Sequence, residues 1–174
     1  MPAMVVEGVA DADADNDVDV DVAIVGHGPV GAVAAALLGQ AGLRVFACDR
    51  LPGVYEIPRA IALDHELMRL FQQLGVVDAV LPYTEPFTPS EWFGADGQLI
   101  RRMTMVAPPW PQGYTPSIVF TQPPVERVLR DCVAQLPNVQ VALGTTTTGL
   151  RQDTDGVTLS LQDGQGHASS VRAR

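Results

Sequence analysis

Three glycines and one carboxylate offer the most chemistry in this sequence. Gly26, Gly28 and Gly31 stand at G-x-G-x-x-G spacing within VGHGPVGAV, and Asp49 follows 18 residues after Gly31. In a strand-turn-helix setting each glycine has its own duty. The first makes the tight turn, the second lets the backbone approach a pyrophosphate, and the third packs helix against strand. Free N–H groups at the helix start then face the anion. An acidic residue at the end of the next strand accepts hydrogen bonds from ribose hydroxyls. Such spacing is cheap in a chain with 16 glycines, so its weight rests on the surrounding elements.

Those elements are in place. Val20 to Val25 is a Val/Ile-rich run suited to a buried strand. The Ala/Leu-rich segment from Pro29 to Gln40 reads as a helix, and Gly42 is placed to stop it. A second apolar run, Val45 to Cys48, delivers Asp49 at its end. Together they predict a Rossmann-like βαβ unit of an α/β fold, with a dinucleotide at the helix mouth. Arg50 leaves the choice of dinucleotide open at this level, because an arginine there can receive the 2′-phosphate of NADP.

Composition narrows the partners. The formal net charge is −9, and all 11 basic residues are arginine. An acidic, lysine-free surface argues against nucleic acid or an anionic membrane as partner. Residues 1–18 carry alternating aspartates and lack the basic start and apolar core of a signal peptide. They are expected to form a disordered, solvated acidic tail. Residues 19–174 are enough for one domain with a sizeable core, and no apolar run approaches the ~20 residues of a membrane span. Cys48 and Cys132 have no CxxC spacing and fit a reduced, cytoplasmic compartment. His65 and His167 have no second His or Cys at ligand spacing, so both are read as surface residues and no metal is expected.

Further along, Leu51 to Pro58 reads as a loop. From Arg59 to Gly75, Leu63, Leu67, Leu70, Phe71 and Leu74 recur at spacings of three and four, which predicts an amphipathic helix ended by Gly75. A short helical turn is expected over Val76 to Leu81. Asp96-Gly97 marks a hairpin in a β-excursion around 86–105. A Pro/Gly-rich connection then carries Trp110 and Tyr114, both expected to pack a loop. Ser117 to Thr121 reads as a strand, Gln122 to Leu136 as a helix and Val139 to Leu143 as a strand. Leu150 to Arg174 alternates as antiparallel strands do, with a turn at Asp163-Gly164.

GHGPVG, Asp49-Arg50, YEIPRAIALDHELMRLFQQLG, TQPPVERVLR and PNVQV together resemble the class A flavoprotein aromatic hydroxylases, of the 3-(3-hydroxyphenyl)propionate hydroxylase type. The similarity covers nearly everything from Val20 to Arg174. It implies the N-terminal part of the aromatic-hydroxylase fold, a FAD-binding domain with an antiparallel β excursion. Gly26, Gly28, Pro29, Val30 and Gly31 match the loop that holds the FAD pyrophosphate. Asp49 matches the ribose-binding position, where the family more often has Glu, and Arg50 a cofactor-contacting arginine. Arg59 resembles the arginine near the flavin and its phosphates, and Gln122 the glutamine that reaches the ribityl region. His27 stands where the family carries a small residue.

For the whole enzyme the resemblance implies that NAD(P)H reduces FAD and that O2 is then consumed. One oxygen atom goes onto a small phenolic substrate, ortho to its hydroxyl, and the hard chemistry belongs to the cofactor. No side chain here presents itself as a catalytic acid, base or nucleophile. In the family, strands like those of 150–174 lead into a second flavin motif centred on Gly-Asp. The chain is therefore expected to be incomplete, its C-terminal part cleaved, truncated, supplied by a second chain, or lost in a degenerate relative. Two other readings share the fingerprint. One is an NAD(P)-dependent dehydrogenase domain, which needs further parallel βαβ units, and the other is a non-catalytic dinucleotide-binding fragment.

Overall fold

The computed structural model describes residues 18–174. The acidic tail expected over 1–18 lies, but for Val18, outside the described residues. The apolar run expected as one strand from Val20 to Val25 is instead two, β1 (Val18–Val20) and β2 (Val22–Val25), in different sheets. Asp21 makes the break. Its N–H and that of Val22 both donate to the Arg44 carbonyl, at 2.9 and 3.2 Å. Its carboxylate accepts from the Arg44 N–H at 2.8 Å and from the guanidinium at 3.3 Å. These bonds hold the Asp21 carboxyl below the usual carboxylate range.

α1 (Pro29–Gln40) begins with Pro at its first turn, where the missing N–H costs nothing. Gly42, at φ +86°, ends it. β3 (Val45–Asp49) runs parallel to β2, so βαβ geometry holds as expected. The helix expected from Arg59 starts later. Ala62–Asp64 is a strand, β4, and α2 (His65–Gln73) follows it. Asp64 accepts from the Leu67 N–H at 2.9 Å as N-cap, so it closes the strand and opens the helix. Gly75, at φ +78°, ends the segment. α3 (Val77–Val80) and a 3₁₀ turn over Leu81–Tyr83 make the expected short extension.

β5 (Thr84–Pro86) precedes the hairpin of β6 (Ser90–Phe93) and β7 (Leu99–Met103), which turns through Gly97 at φ +80°. β8 (Ser117–Phe120) is the centre of an antiparallel sheet ordered β4-β8-β5. Pairing with β8 explains why Ala62–Asp64 is extended although its sequence continues a helical pattern. α4 (Gln122–Ala134) leads to β9 (Val139–Leu143), which completes the parallel sheet β2-β3-β9. β10 (Thr146–Gln152), β11 (Val157–Gln162) and β12 (Ala168–Ala173) form an antiparallel meander, and β1 pairs parallel with β12. Among the described residues the stretch after Pro86 adds mostly antiparallel pairs, with β9 the one strand that extends the parallel sheet of β2 and β3, and β12 parallel only to β1. That does not favour a dehydrogenase built from repeated βαβ units.

β3 is buried on both faces, which is why it reads as an uninterrupted apolar run. Val45 joins the core formed with α1, α2 and α4, where Ala35, Phe71 and Leu129 pack. Phe46 and Cys48 face a second core with Leu159, Leu161 and Val171 of the meander. The strand that ends in Asp49 is thus clamped between helices and meander.

Candidate functional site

A cleft of about 470 Å³ opens where β2 and β3 end, lined by Gly26, Gly28, Asp49, Arg50, Arg59 and the Thr145–Thr147 run among others. This is the carboxyl edge of the parallel sheet, where α/β folds place their ligands. Gly26 turns the chain at φ +101°, and its N–H donates to the Cys48 carbonyl at 2.8 Å. A Cβ on Gly31 would run into the Gly26 carbonyl, so the third glycine is demanded by the helix lying against the turn. Gly28 is different. Its φ of −76° suits any residue, and a Cβ there would meet nothing within 4 Å. The fold does not need a glycine at 28, and the space beside it is open.

The surroundings of that space suit negative charge. α1 starts with neither a side-chain cap nor an acidic residue in its first turn, so its N–H groups and dipole are free to meet negative charge. Pro29 and Gly31 sit in this first turn, and Val30 is 84% exposed beside them. The Asp49 carboxylate ties loop to strand: Oδ2 accepts from the His27 N–H at 2.8 Å and Oδ1 from the Leu51 N–H at 2.9 Å. A carboxylate offers about four acceptor positions, so capacity remains for ribose hydroxyls. Arg50 and Arg59 are exposed and add positive charge to the rim. The Arg59 guanidinium lies over the Tyr55 ring, 5.4 Å from its centroid.

Gln122, read as reaching along the cofactor, is 2% exposed and not among the residues that line the cleft. Its Oε1 accepts from the N–H groups of Arg59 and Ala60 at 2.8 and 2.9 Å. Gln122 thus meets Arg59 as backbone holder. His27 is also 2% exposed, and its Nδ1 has no partner among the described residues. Burial pushes its pKa down, the Arg130 charge adds to that, and Asp49 opposes it. His65, read as a surface residue, is half-buried, and its Nδ1 has no partner among the described residues. Tyr114 does pack, against the main core, while Trp110 stays exposed and closes its own loop onto the Val106 carbonyl at 2.9 Å.

Two parts of the site were not read from sequence. The Thr145 N–H donates to the Asp49 carbonyl at 2.9 Å, and the Thr147 hydroxyl meets Cys48 Sγ at 3.4 Å. A polar run directly after an apolar strand was the available signal. The other is the buried series Gln122, Glu126 and Arg130 on α4, whose four-residue spacing was legible but whose burial was not.

A parallel sheet with a glycine turn at its carboxyl edge and a carboxylate on the adjacent strand defines a dinucleotide-binding α/β domain. The chain belongs to the FAD binding domain family, whose model matches residues 19–174. This bears out the family read from GHGPVG, PRAIAL and TQPPVERVLR. The chain is 38% identical over 152 residues to a 3-(3-hydroxy-phenyl)propionate/3-hydroxycinnamic acid hydroxylase of Paraburkholderia xenovorans, covering 87% of this chain and 24% of that protein. Its fold matches p-nitrophenol 4-monooxygenase of Pseudomonas putida with a TM-score of 0.77 at 28% identity, over 89% of this chain and 39% of that one. It also matches the flavin-dependent monooxygenase PieE, solved with FAD and substrate, with a TM-score of 0.77 at 26% identity, over 91% of this chain and 30% of that one. The chain spans less than two-fifths of the length of each. Among the described residues no helix is long and apolar enough to cross a membrane.

Proposed function

We propose that this chain is the FAD-binding portion of a flavoprotein monooxygenase that hydroxylates a small phenolic compound, with NAD(P)H as reductant and O2 as co-substrate. The observation that carries the reading is the open space at Gly28, at the uncapped start of α1, which nothing in the fold requires and which leaves room for a pyrophosphate. Gly28, Val30 and Gly31 offer backbone N–H groups to the pyrophosphate. Gly26, its own N–H on the Cys48 carbonyl, turns the loop, and Pro29, which has no N–H, starts the helix beneath it. Asp49 accepts from the adenosine ribose, Arg50 and Arg59 balance negative charge, and Gln122 keeps Arg59 in place. Bound FAD supplies the electron transfer and oxygen activation of the reaction. The likeness to an aromatic hydroxylase at 38% identity supports the phenolic substrate class. Two free cysteines, Cys48 and Cys132, support a cytoplasmic location.

Flavin absorbance of the purified protein tests the reading, together with Gly28→Val. A valine side chain fills the space left for the pyrophosphate without straining the backbone. The variant is expected to keep its circular dichroism and lose bound flavin at least about tenfold, since tenfold is only ~1.4 kcal/mol of binding. Undiminished flavin in that variant, or failure of the unaltered protein to take up added FAD, would overturn the assignment.

A further inference from the structure

Beneath the cleft runs a line of polar side chains that contact with a cofactor does not explain. α4 places Gln122, Glu126 and Arg130 four residues apart, so they stack on one face of the helix. Glu126 is 2% exposed, and the Arg130 side chain 12%. Burying a carboxylate is costly unless every lone pair is used, and an amphipathic helix needs none on its core face. The hydrogen bonds converge on the Glu126 carboxylate. Gln122 Oε1 accepts from the Arg59 and Ala60 N–H groups, and Gln122 Nε2 donates to Glu126 Oε2 at 3.3 Å. Glu126 Oε1 in turn accepts from the Arg130 guanidinium at 2.8 Å.

A glutamine amide has an acceptor end and a donor end of nearly the same shape, so packing does not choose between them. Turned round, the Gln122 NH₂ group would face two backbone N–H donors with no acceptor between them. At the other end the turned amide would set its oxygen against the Glu126 carboxylate, which the Arg130 guanidinium holds in place, and that disfavours the turn. We infer that Glu126 is a positioning residue: it sets the Gln122 amide with its oxygen toward Arg59 and Ala60, pinning their backbone at the cleft and presenting the Arg59 guanidinium to an anionic dinucleotide. Only the last step rests on the cofactor reading; the pinning is measurable with no ligand present.

The test is a swap. Gln122→Glu brings two carboxylates together and removes the donor between them, so hydrogen exchange at the Arg59 and Ala60 amides is expected to speed up about tenfold, the worth of one such bond. Adding Glu126→Gln restores one acceptor-only group beside one amide, with the two residue types exchanged. Exchange in that double variant returns to within about twofold of the unaltered protein. FAD dissociation constants from titration follow the same order, weaker in Gln122→Glu and recovered in the swap. Unchanged exchange in Gln122→Glu overturns the inference, as does a folded swap that fails to recover. If Gln122→Glu does not fold, a folded swap with normal exchange supports the inference and an unfolded swap overturns it. Faster exchange with undiminished FAD affinity overturns the link from pinned backbone to presented arginine. Absence of FAD binding by the unaltered protein sinks the cofactor reading instead and leaves exchange to decide the pinning.

Discussion

At Gly31 an added Cβ would run into the carbonyl of Gly26, whereas at Gly28 it would meet nothing within 4 Å. Two alanine substitutions in one motif are therefore expected to fail differently. Gly31→Ala should lower stability by about 1–3 kcal/mol, as overpacking of a rigid contact does. Gly28→Ala should stay within about 0.5 kcal/mol in urea unfolding and lose FAD affinity instead. His27 makes a second prediction from its buried ring. Its pKa is lowered in the folded protein, so the unfolded chain binds protons first as pH falls. The stability it contributes is whole above its ordinary value near 6.5 and is lost as pH drops through the lower folded value. The urea midpoint should fall between pH 7.5 and 5.5, and His27→Gln should flatten that slope. The carboxyls with lowered values, Asp21, Asp153 and Asp163, act at more acid pH and leave this window clear.

Elements meet through side chains that their own periodicity does not reveal. Asn138, in the PNVQV stretch before β9, donates its amide to the Gly39 carbonyl at 2.8 Å and the Leu43 carbonyl at 2.7 Å. It thereby satisfies carbonyls at the end of α1 and in the loop that leads to β3. Asn138→Ala should cost about 1–3 kcal/mol in urea unfolding, because the part-buried Leu43 carbonyl loses its side-chain donor and the Gly39 carbonyl keeps only the Gly42 N–H. Flavin content in the absence of urea should be unchanged, since Asn138 is not among the cleft-lining residues.

The molecule as a whole is built on β3, with the helical core on one side and the meander core on the other. Leu161 packs in the meander core with Phe46 and Cys48, just behind the strand end that carries Asp49. Leu161→Ala should destabilise by about 2–5 kcal/mol, the range for truncating a buried leucine. FAD affinity should change less than about twofold while the protein remains folded, because Leu161 is not among the residues that line the cleft. A larger loss of affinity at unchanged stability would show the meander shaping the cleft directly.

Local pattern alone determined the βαβ unit, its glycine turn and the carboxylate at its end. These depend on backbone conformations and short-range packing that Gly26, Gly31, Pro29 and the Val45–Asp49 run dictate by themselves. The same held for the hairpin at Gly97 and for α4. Tertiary structure alone decided that Val18–Val25 is divided between two sheets, because the Arg44 carbonyl lies 23 residues away from Asp21 in sequence. It also drew Ala62–Asp64 out of a helical pattern to pair with β8. And it buried Glu126 under the cleft, since whether a charged residue on a helix meets solvent or Gln122 depends on what folds across it.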